Sequence, residues 1–274
     1  GTQSALSSFA YIRGGVEGLV RALERRATQS GAVIRLGCPV EGFTWDGRRL
    51  TGVVSAGERY EADAIISTLP VTDLVRMLQP LAPDEESVEA VGGLVYLGLI
   101  LVGVVVRRPR FTPNSWIYFP EEEYIFNRSY EPRNFDPSMA PSDRSMVVFE
   151  VTARWDSGLW AKPDEEVIAA VRADVLKTGL VREEEIETAF ALRVPHTYPL
   201  YATGYTDRLE RTFRYLGRFP NLISTGRQGL FNHNNMDHSM LMGMRAAEEL
   251  ARGGDAAARW YASQDQFAHF RIVD

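Results

Sequence analysis

The spacing of apolar residues along the chain switches between a helical and a strand period, and the switches mark its elements. Near the start, Tyr11-Ile-Arg-Gly-Gly15 leads into Val16, Leu19, Val20, Leu23 and Ala27, with Glu17, Arg21, Glu24 and Arg25 between them. That i, i+3, i+4, i+7 stripe predicts an amphipathic helix. Ala32-Val-Ile-Arg-Leu36 reads as a strand. Residues 40–45, 50–54 and a short pair around Tyr60 are separated by Asp46-Gly47 and Ala56-Gly57, the turn signals of a β-meander. Ala64-Ile-Ile-Ser-Thr-Leu-Pro70 predicts a further strand closed by proline, with a short helix at 72–77 after it.

Residues 80–89 form an acidic, proline-containing connection that suits a domain crossing. Strands are then expected at 91–106 (one long or two short), 115–119, 124–127 and 145–152. A long polar loop is expected at 129–143. Pro163-Asp164 opens a helix with Val167, Ile168, Val171 and Val175 inward and Gly179 as its stop. A strand at 186–194 should break at Pro195-His-Thr-Tyr-Pro199, and 205–216 should be helical. A short buried strand at 222–224 stops at Gly226-Arg227. After a Gly- and Asn-rich loop, Asp237 or Asn235 caps a helix whose apolar residues Met240, Leu241, Met244, Ala247 and Ala251 recur at helical spacing. Gly253-Gly254 ends it. This strand, loop and helix N-terminus is either an ordinary capped βα connection or a place where free backbone amides meet an anion or a polarised carbonyl. Strands alternating with helices at both ends, around an antiparallel middle, predict an α/β plus α+β architecture with the middle inserted.

Composition narrows the function. The 274 residues are 45% apolar and 24% charged, as in a soluble globular protein. A net charge of −6 and the lack of a basic stripe give no reason to expect a nucleic-acid partner. The uncharged run 90–106 is too short for a membrane span, so no transmembrane segment is expected. Cys38 is the single cysteine, which excludes an internal disulfide framework and suits a reducing, cytoplasmic setting. Of the histidines, His196, His233, His238 and His269, the pair flanking the cap falls on different faces, so no metal site is expected. Gly1 opens the chain without a signal-peptide pattern, which suggests a start inside a longer gene product. Metalloprotease, P-loop and nucleophile-elbow motifs are absent, and Gly14-Gly15-x-x-Gly18 has the wrong spacing for a dinucleotide turn.

Several segments, in order, resemble the superfamily of FAD-dependent amine oxidases, protoporphyrinogen oxidases and phytoene desaturases. They are Tyr11-Ile-Arg-Gly-Gly-Val-Glu-Gly-Leu, Val33-Ile-Arg-Leu-Gly-Cys-Pro-Val40 and Ala62-Asp-Ala-Ile-Ile-Ser-Thr-Leu-Pro70. The stretch from Gly226-Arg-Gln-Gly to Asn235-Met-Asp237 resembles that superfamily's C-terminal FAD segment, with a likeness to UDP-galactopyranose mutase. The resemblance implies a partial FAD-binding, glutathione-reductase-like sheet at 1–88 and 206–274, with a mixed or antiparallel substrate-binding domain at 89–205. The superfamily's N-terminal strand, Gly-x-Gly-x-x-Gly turn and helix is absent from this sequence. FAD, expected for the full-length protein, should therefore bind this chain weakly or not at all.

By the same resemblance, Val40, Thr68 and Pro70 lie along the dinucleotide, and Gly226 and Arg227 approach the pyrophosphate and ribityl region. Asn235, Met236 and Asp237 put helix amides near the flavin. For Val40 and Thr68, plain sheet core is the alternative. Arg128, Tyr130, Arg193, Tyr198 and Tyr201 are candidates to hold a small-molecule substrate, against surface ion pairs or half-buried core tyrosines. The catalytic residues are not identified. The implied activity is hydride transfer from an organic substrate to flavin. A flavin-dependent sugar-nucleotide mutase and a non-catalytic binding domain are the alternatives. A homodimer is a further expectation, through surface that the absent segment would cover.

Overall fold

The computed structural model describes residues 10–267 and Phe270; His269, named above, lies outside them. Two compact units emerge, one from residues 35–96 and 198–274, the other from 6–34 and 97–197.

In the first unit the meander forms as expected: β1 (Gly42–Trp45), β2 (Leu50–Ser55) and β3 (Glu58–Glu61) pair antiparallel. β4 (Ile65–Ser67) pairs parallel with β10 (Leu222–Ser224), Ile65 opposite Leu222 and Ser67 opposite Ser224. Asn221 ties that pair to the meander: its amide exchanges hydrogen bonds with both backbone groups of Leu50 and donates to Asp63 O at 2.9 Å. Helices α2 (Val71–Leu78), α3 (Glu85–Gly92) and α6 (Tyr205–Leu216) bury Leu74, Leu78, Val91 and Leu216 in one cluster with Leu50 and Phe219. The acidic stretch 80–89 is thus partly helix, capped where Asp84 accepts from Ser87 N at 2.8 Å. Helices α8 (Met236–Ala251) and α9 (Ala256–Ala262) pack Met242, Ala246 and Trp260 against Ile223.

Two expectations need correction, one in this unit and one where the chain passes from the second unit into it. The stripe Met240, Leu241, Met244, Ala247 and Ala251 is the exposed face of α8, with Met244 at 61% exposure; Met242 and Ala246 are buried instead. Periodicity says which residues share a face, not which face finds a partner. The predicted strand at 32–36 does not form, and Val33 is 79% and Leu36 87% exposed. An apolar run becomes a strand only where another backbone takes up its N–H and C=O groups.

In the second unit, helix α1 (Glu17–Gln29) forms as its pattern predicts, yet none of its residues is buried. The five-stranded sheet has the order β6 (Trp116–Tyr118), β7 (Arg128–Tyr130), β8 (Ser145–Arg154), β5 (Val95–Val106) and β9 (Ile186–Leu200). One face packs Ile100, Val102, Phe149 and Val151 on Val167, Val171 and Val175 of α5 (Asp164–Lys177). The strand placed at 124–127 falls instead at β7. The strand expected to stop at Pro195 runs on to Leu200. β9 is a sheet edge, where a proline's missing N–H leaves no ladder partner wanting. The chain bends there at His196, with φ of 54°.

The loop expected at 129–143 is also structured, with α4 (Pro132–Phe135) and a single 3-10 turn at Pro137–Met139. Glu131, 1% exposed, organises it. Its carboxylate accepts from Phe111 N at 2.7 Å, Thr112 N at 2.9 Å, Ser145 Oγ at 2.5 Å and Asn134 Nδ2 at 3.2 Å. Removing the acceptor strands several buried donors. Glu131→Ala should therefore lower stability by about 2–5 kcal/mol, read as a shifted urea midpoint at pH 7. An unchanged midpoint would show that the carboxylate is dispensable.

Candidate functional site

The site in the first unit grows from the parallel pair β4–β10. Ligands of parallel sheets gather beyond the carboxyl ends of the strands. Here Thr225 N donates to Ser67 O at 2.9 Å, so the chain leaving both strands stays in register. That puts Thr68 to Pro70 beside Thr225, Gly226 and Arg227. Pro70 then starts α2, and Gly226 starts the single turn α7 (Gly226–Gly229).

Buried hydrogen bonds hold these exits. The Tyr96 hydroxyl accepts from Val71 N at 3.3 Å and donates to Gln228 O at 2.5 Å, bridging the starts of α2 and α7. Ser224 N donates to the Tyr261 hydroxyl at 2.9 Å, and Trp260 Nε1 donates to Ser224 O at 2.9 Å. Ser224 Oγ donates to Gly229 O at 2.7 Å, close enough that a Cβ on Gly229 would clash with it at 2.8 Å.

Beyond α7 the loop turns back through Phe231, a buried non-glycine residue with φ of 50°. The Arg227 guanidinium donates to Asn234 O and lies 5.2 Å from the Tyr198 ring centre. Tyr198 meets His233 edge-on at 5.2 Å, and His233 N donates to the Tyr201 hydroxyl at 2.7 Å. Fully buried Asn234 accepts from Ser239 Oγ at 2.8 Å, which anchors the loop to the first turn of α8. Asn235 is the N-cap residue, and its N–H donates to His238 Nδ1 at 3.2 Å. The amides of Met236 and Asp237 have no acceptor within the helix and stand at its positive end.

The structure thus brings Thr68, Pro70, Gly226 and Arg227 together, and gathers Arg227, Tyr198 and Tyr201 around the loop that leads to Asn235, Met236 and Asp237. Val40 sits just ahead of β1, half exposed. Sequence reasoning missed Tyr96, Asn234 and Tyr261. Their signal is a polar atom inside an apolar setting, which only the packed chain reveals. Among the described residues, no group of three or more His, Cys, Asp or Glu side chains could hold a metal, and no helix is long and apolar enough to cross a membrane.

In the second unit, strand register places the other candidates on the sheet face away from α5. One row runs Tyr118, Arg128, Glu150 and Leu101; the next runs Trp116, Tyr130, Val148 and Gly103. Arg128 forms a bidentate pair with Glu150, at 3.0 and 2.9 Å, and its guanidinium lies 5.9 Å from the Tyr118 ring centre. The Phe190 ring covers Gly103, where a Cβ would lie 2.6 Å from it. Phe190, Leu192 and Val194 of β9 are exposed at 49%, 58% and 36%. Arg193 instead binds Asp164 at 2.8 Å and the carbonyls of Trp160 and Lys162, and so braces the entry to α5.

A family profile described as flavin containing amine oxidoreductase matches residues 3–251. The chain belongs to that family. It is 35% identical over 232 residues to the zeta-carotene-forming phytoene desaturase of Myxococcus xanthus, covering 76% of this chain and 44% of that protein. Its fold is similar to that of reduced UDP-galactopyranose mutase, with a TM-score of 0.76 and 21% identity over 96% of this chain and 56% of the other. It is similar also to a putrescine oxidase variant, with a TM-score of 0.61 and 17% identity over 88% and 53%. The chain therefore spans about half the length of these relatives.

The residues at the strand exits fit the nucleotide of the family's flavin. Thr225 Oγ1 is buried without a hydrogen-bond partner in the protein. Gly226 has φ of 80° and open space where a Cβ would be, so a ligand can approach its backbone.

The tyrosines that brace this unit set its alkaline limit. Burial raises the hydroxyl pKa of Tyr96 and Tyr261 above the ordinary value, and pushes that of Tyr215 up to about 12. The unfolded chain loses these protons near pH 10 while the folded chain keeps them. Their stabilisation is fully present below about pH 10 and is lost as pH rises through the folded values. Urea midpoints should hold steady up to that pH and fall above it. The fall should be shallower in Tyr96→Phe and Tyr261→Phe; an equally steep fall in both would assign it to other groups.

Proposed function

We propose that the chain is part of an FAD-dependent oxidoreductase that takes hydride from an organic substrate. The observation carrying this reading is the register of β4 with β10, which sets Thr68, Pro70, Gly226 and Arg227 at one edge and leads directly to the N-terminus of α8. Thr225 Oγ1, the Gly226 backbone and Arg227 would hold the ribityl and pyrophosphate part. The amides of Met236 and Asp237 would face the ring edge that gains negative charge on reduction, where a helix N-terminus contributes about 0.3–1 kcal/mol or more when buried. Bound flavin supplies a two-electron acceptor; the protein's part is to orient the substrate and exclude water.

The cofactor residues belong to the unit of residues 35–96 and 198–274, and the sheet of the other unit is taken by itself as an apolar binding surface. Its exposed Phe190, Leu192 and Val194, beside Leu101 and Val148, favour an elongated apolar substrate. The desaturase relative supports this choice. A flavin-dependent sugar-nucleotide mutase is the second reading, favoured by the fold shared with UDP-galactopyranose mutase and by the Gly226-Arg227 and Met236-Asp237 motif. Beside β10, β4 has no second partner strand among the described residues, and α8 has an uncovered apolar face. We infer that a further strand and helix complete the flavin cradle, and that the 274-residue chain alone holds FAD weakly.

Two measurements separate these readings. The purified 274-residue chain titrated with FAD should show weak, unsaturated binding, and Arg227→Ala should weaken it further; tight stoichiometric flavin would overturn the incomplete cradle. In the full-length gene product, an apolar polyene substrate should bleach the flavin absorbance anaerobically. Turnover that requires flavin reduced beforehand would favour the mutase, and a full-length product without flavin would sink both.

A further inference from the structure

The two chain exits that would hold the flavin nucleotide both start without help from their own caps. α2 begins at Val71 after Pro70, and α7 at Gly226 after Thr225; neither N-cap residue makes a side-chain capping bond. A side chain from β5 reaches both. The Tyr96 hydroxyl accepts from Val71 N at 3.3 Å and donates to Gln228 O at 2.5 Å. A hydroxyl suits this place because one oxygen both accepts and donates. The Tyr96 ring meets Phe231 edge-on, with centres 4.9 Å apart, and Phe231 is where the loop toward Asn235 turns, at φ of 50°. Tyr96, Val71 and Phe231 are all buried.

The β4–β10 ladder carries the register as far as Thr225 N on Ser67 O. Past that point the Tyr96 hydroxyl spans the gap between the two backbones. Burial raises its pKa, so the proton that reaches Gln228 O stays in place at neutral pH. We propose that Tyr96 is a positioning residue for the flavin nucleotide: its hydroxyl sets the separation of Pro70–Val71 from Gly226–Gln228, and so holds the Gly226 backbone and Arg227 where they grip the cofactor. This rests on the oxidoreductase reading of the same exits. Hydrogen bonds to a ligand weaken steeply when their donors are misplaced, so losing the hydroxyl acts on cofactor affinity. A tyrosine that only braced the core would act through stability alone. Tyr215 supplies that comparison: it lies in the same apolar cluster, and its hydroxyl donates to Ala82 O at 2.9 Å, away from both exits.

The test uses the full-length gene product with its flavin removed. FAD rebinding is followed by flavin fluorescence, at a temperature where circular dichroism shows every variant folded. Tyr96→Phe keeps the ring and its contact with Phe231 and loses only the oxygen. It should raise the FAD dissociation constant at least about tenfold, whereas Tyr215→Phe should change it by less than about twofold. Combined with Arg227→Ala, Tyr96→Phe should add less to the loss than it costs alone, because the hydroxyl acts through the placement of the turn that carries Arg227. Unchanged FAD affinity in Tyr96→Phe overturns the proposal and leaves the oxidoreductase reading standing. So does an equal loss in the two tyrosine variants, or full additivity with Arg227→Ala. A wild-type product that binds no flavin overturns both.

Discussion

The rest of the first unit depends on one short parallel pairing, that of β4 with β10. Its strands are three residues long, and the chain between them runs from Thr68 to Asn221 before it returns. Closing so long an excursion costs chain entropy that so few ladder bonds do not offset. The difference is made up by side chains locked around Ser224: Trp260 on its carbonyl, Tyr261 on its amide, and its own hydroxyl on Gly229 O. Tyr96 and Asn221 extend the bracing to α2, α7 and the meander. Each is a buried or partly buried polar group with its partner supplied, and where the group is buried, losing a partner costs more than forming the bond contributed.

The arginines show why residue type alone does not find a site. Arg128, Arg193 and Arg227 are all planar cations on or beside strands. Arg128 is matched by a carboxylate across the sheet, and Arg193 by a carboxylate and two carbonyls. Both assignments fulfil the geometry a guanidinium favours, and both brace the second unit. Arg227 is turned along the loop, donating to a backbone carbonyl and lying over Tyr198. Only the last sits where two parallel strands end.

Much of the local structure was legible beforehand. The helix at 205–216 and the strand at 222–224 form at the bounds their patterns predict, and the helix from the Asn235 cap runs to the Gly253-Gly254 stop. These elements carry their own start and stop chemistry. The failures share one cause. The segment 32–36 has a strand's composition but no partner strand, β9 passes through two prolines because it is an edge, and the loop at 129–143 is ordered by Glu131, whose donors Phe111 and Thr112 are distant in sequence. Burial, edge position and long-range donors are not properties of a local window.

By itself, the sequence determined the periods of the helices, the meander turns, the glycine stops and the order of motifs that mark a flavin-containing family. Each of these depends on backbone preferences that act over a few residues. The tertiary structure decided which face of α8 is buried, which arginines are tied up in ion pairs, and that Thr68–Pro70 meets Gly226–Arg227. It also decided that the Tyr96 hydroxyl reaches both Val71 and Gln228. Those outcomes depend on which distant groups compete for the same buried space and the same hydrogen bonds, and that competition exists only once the chain has folded.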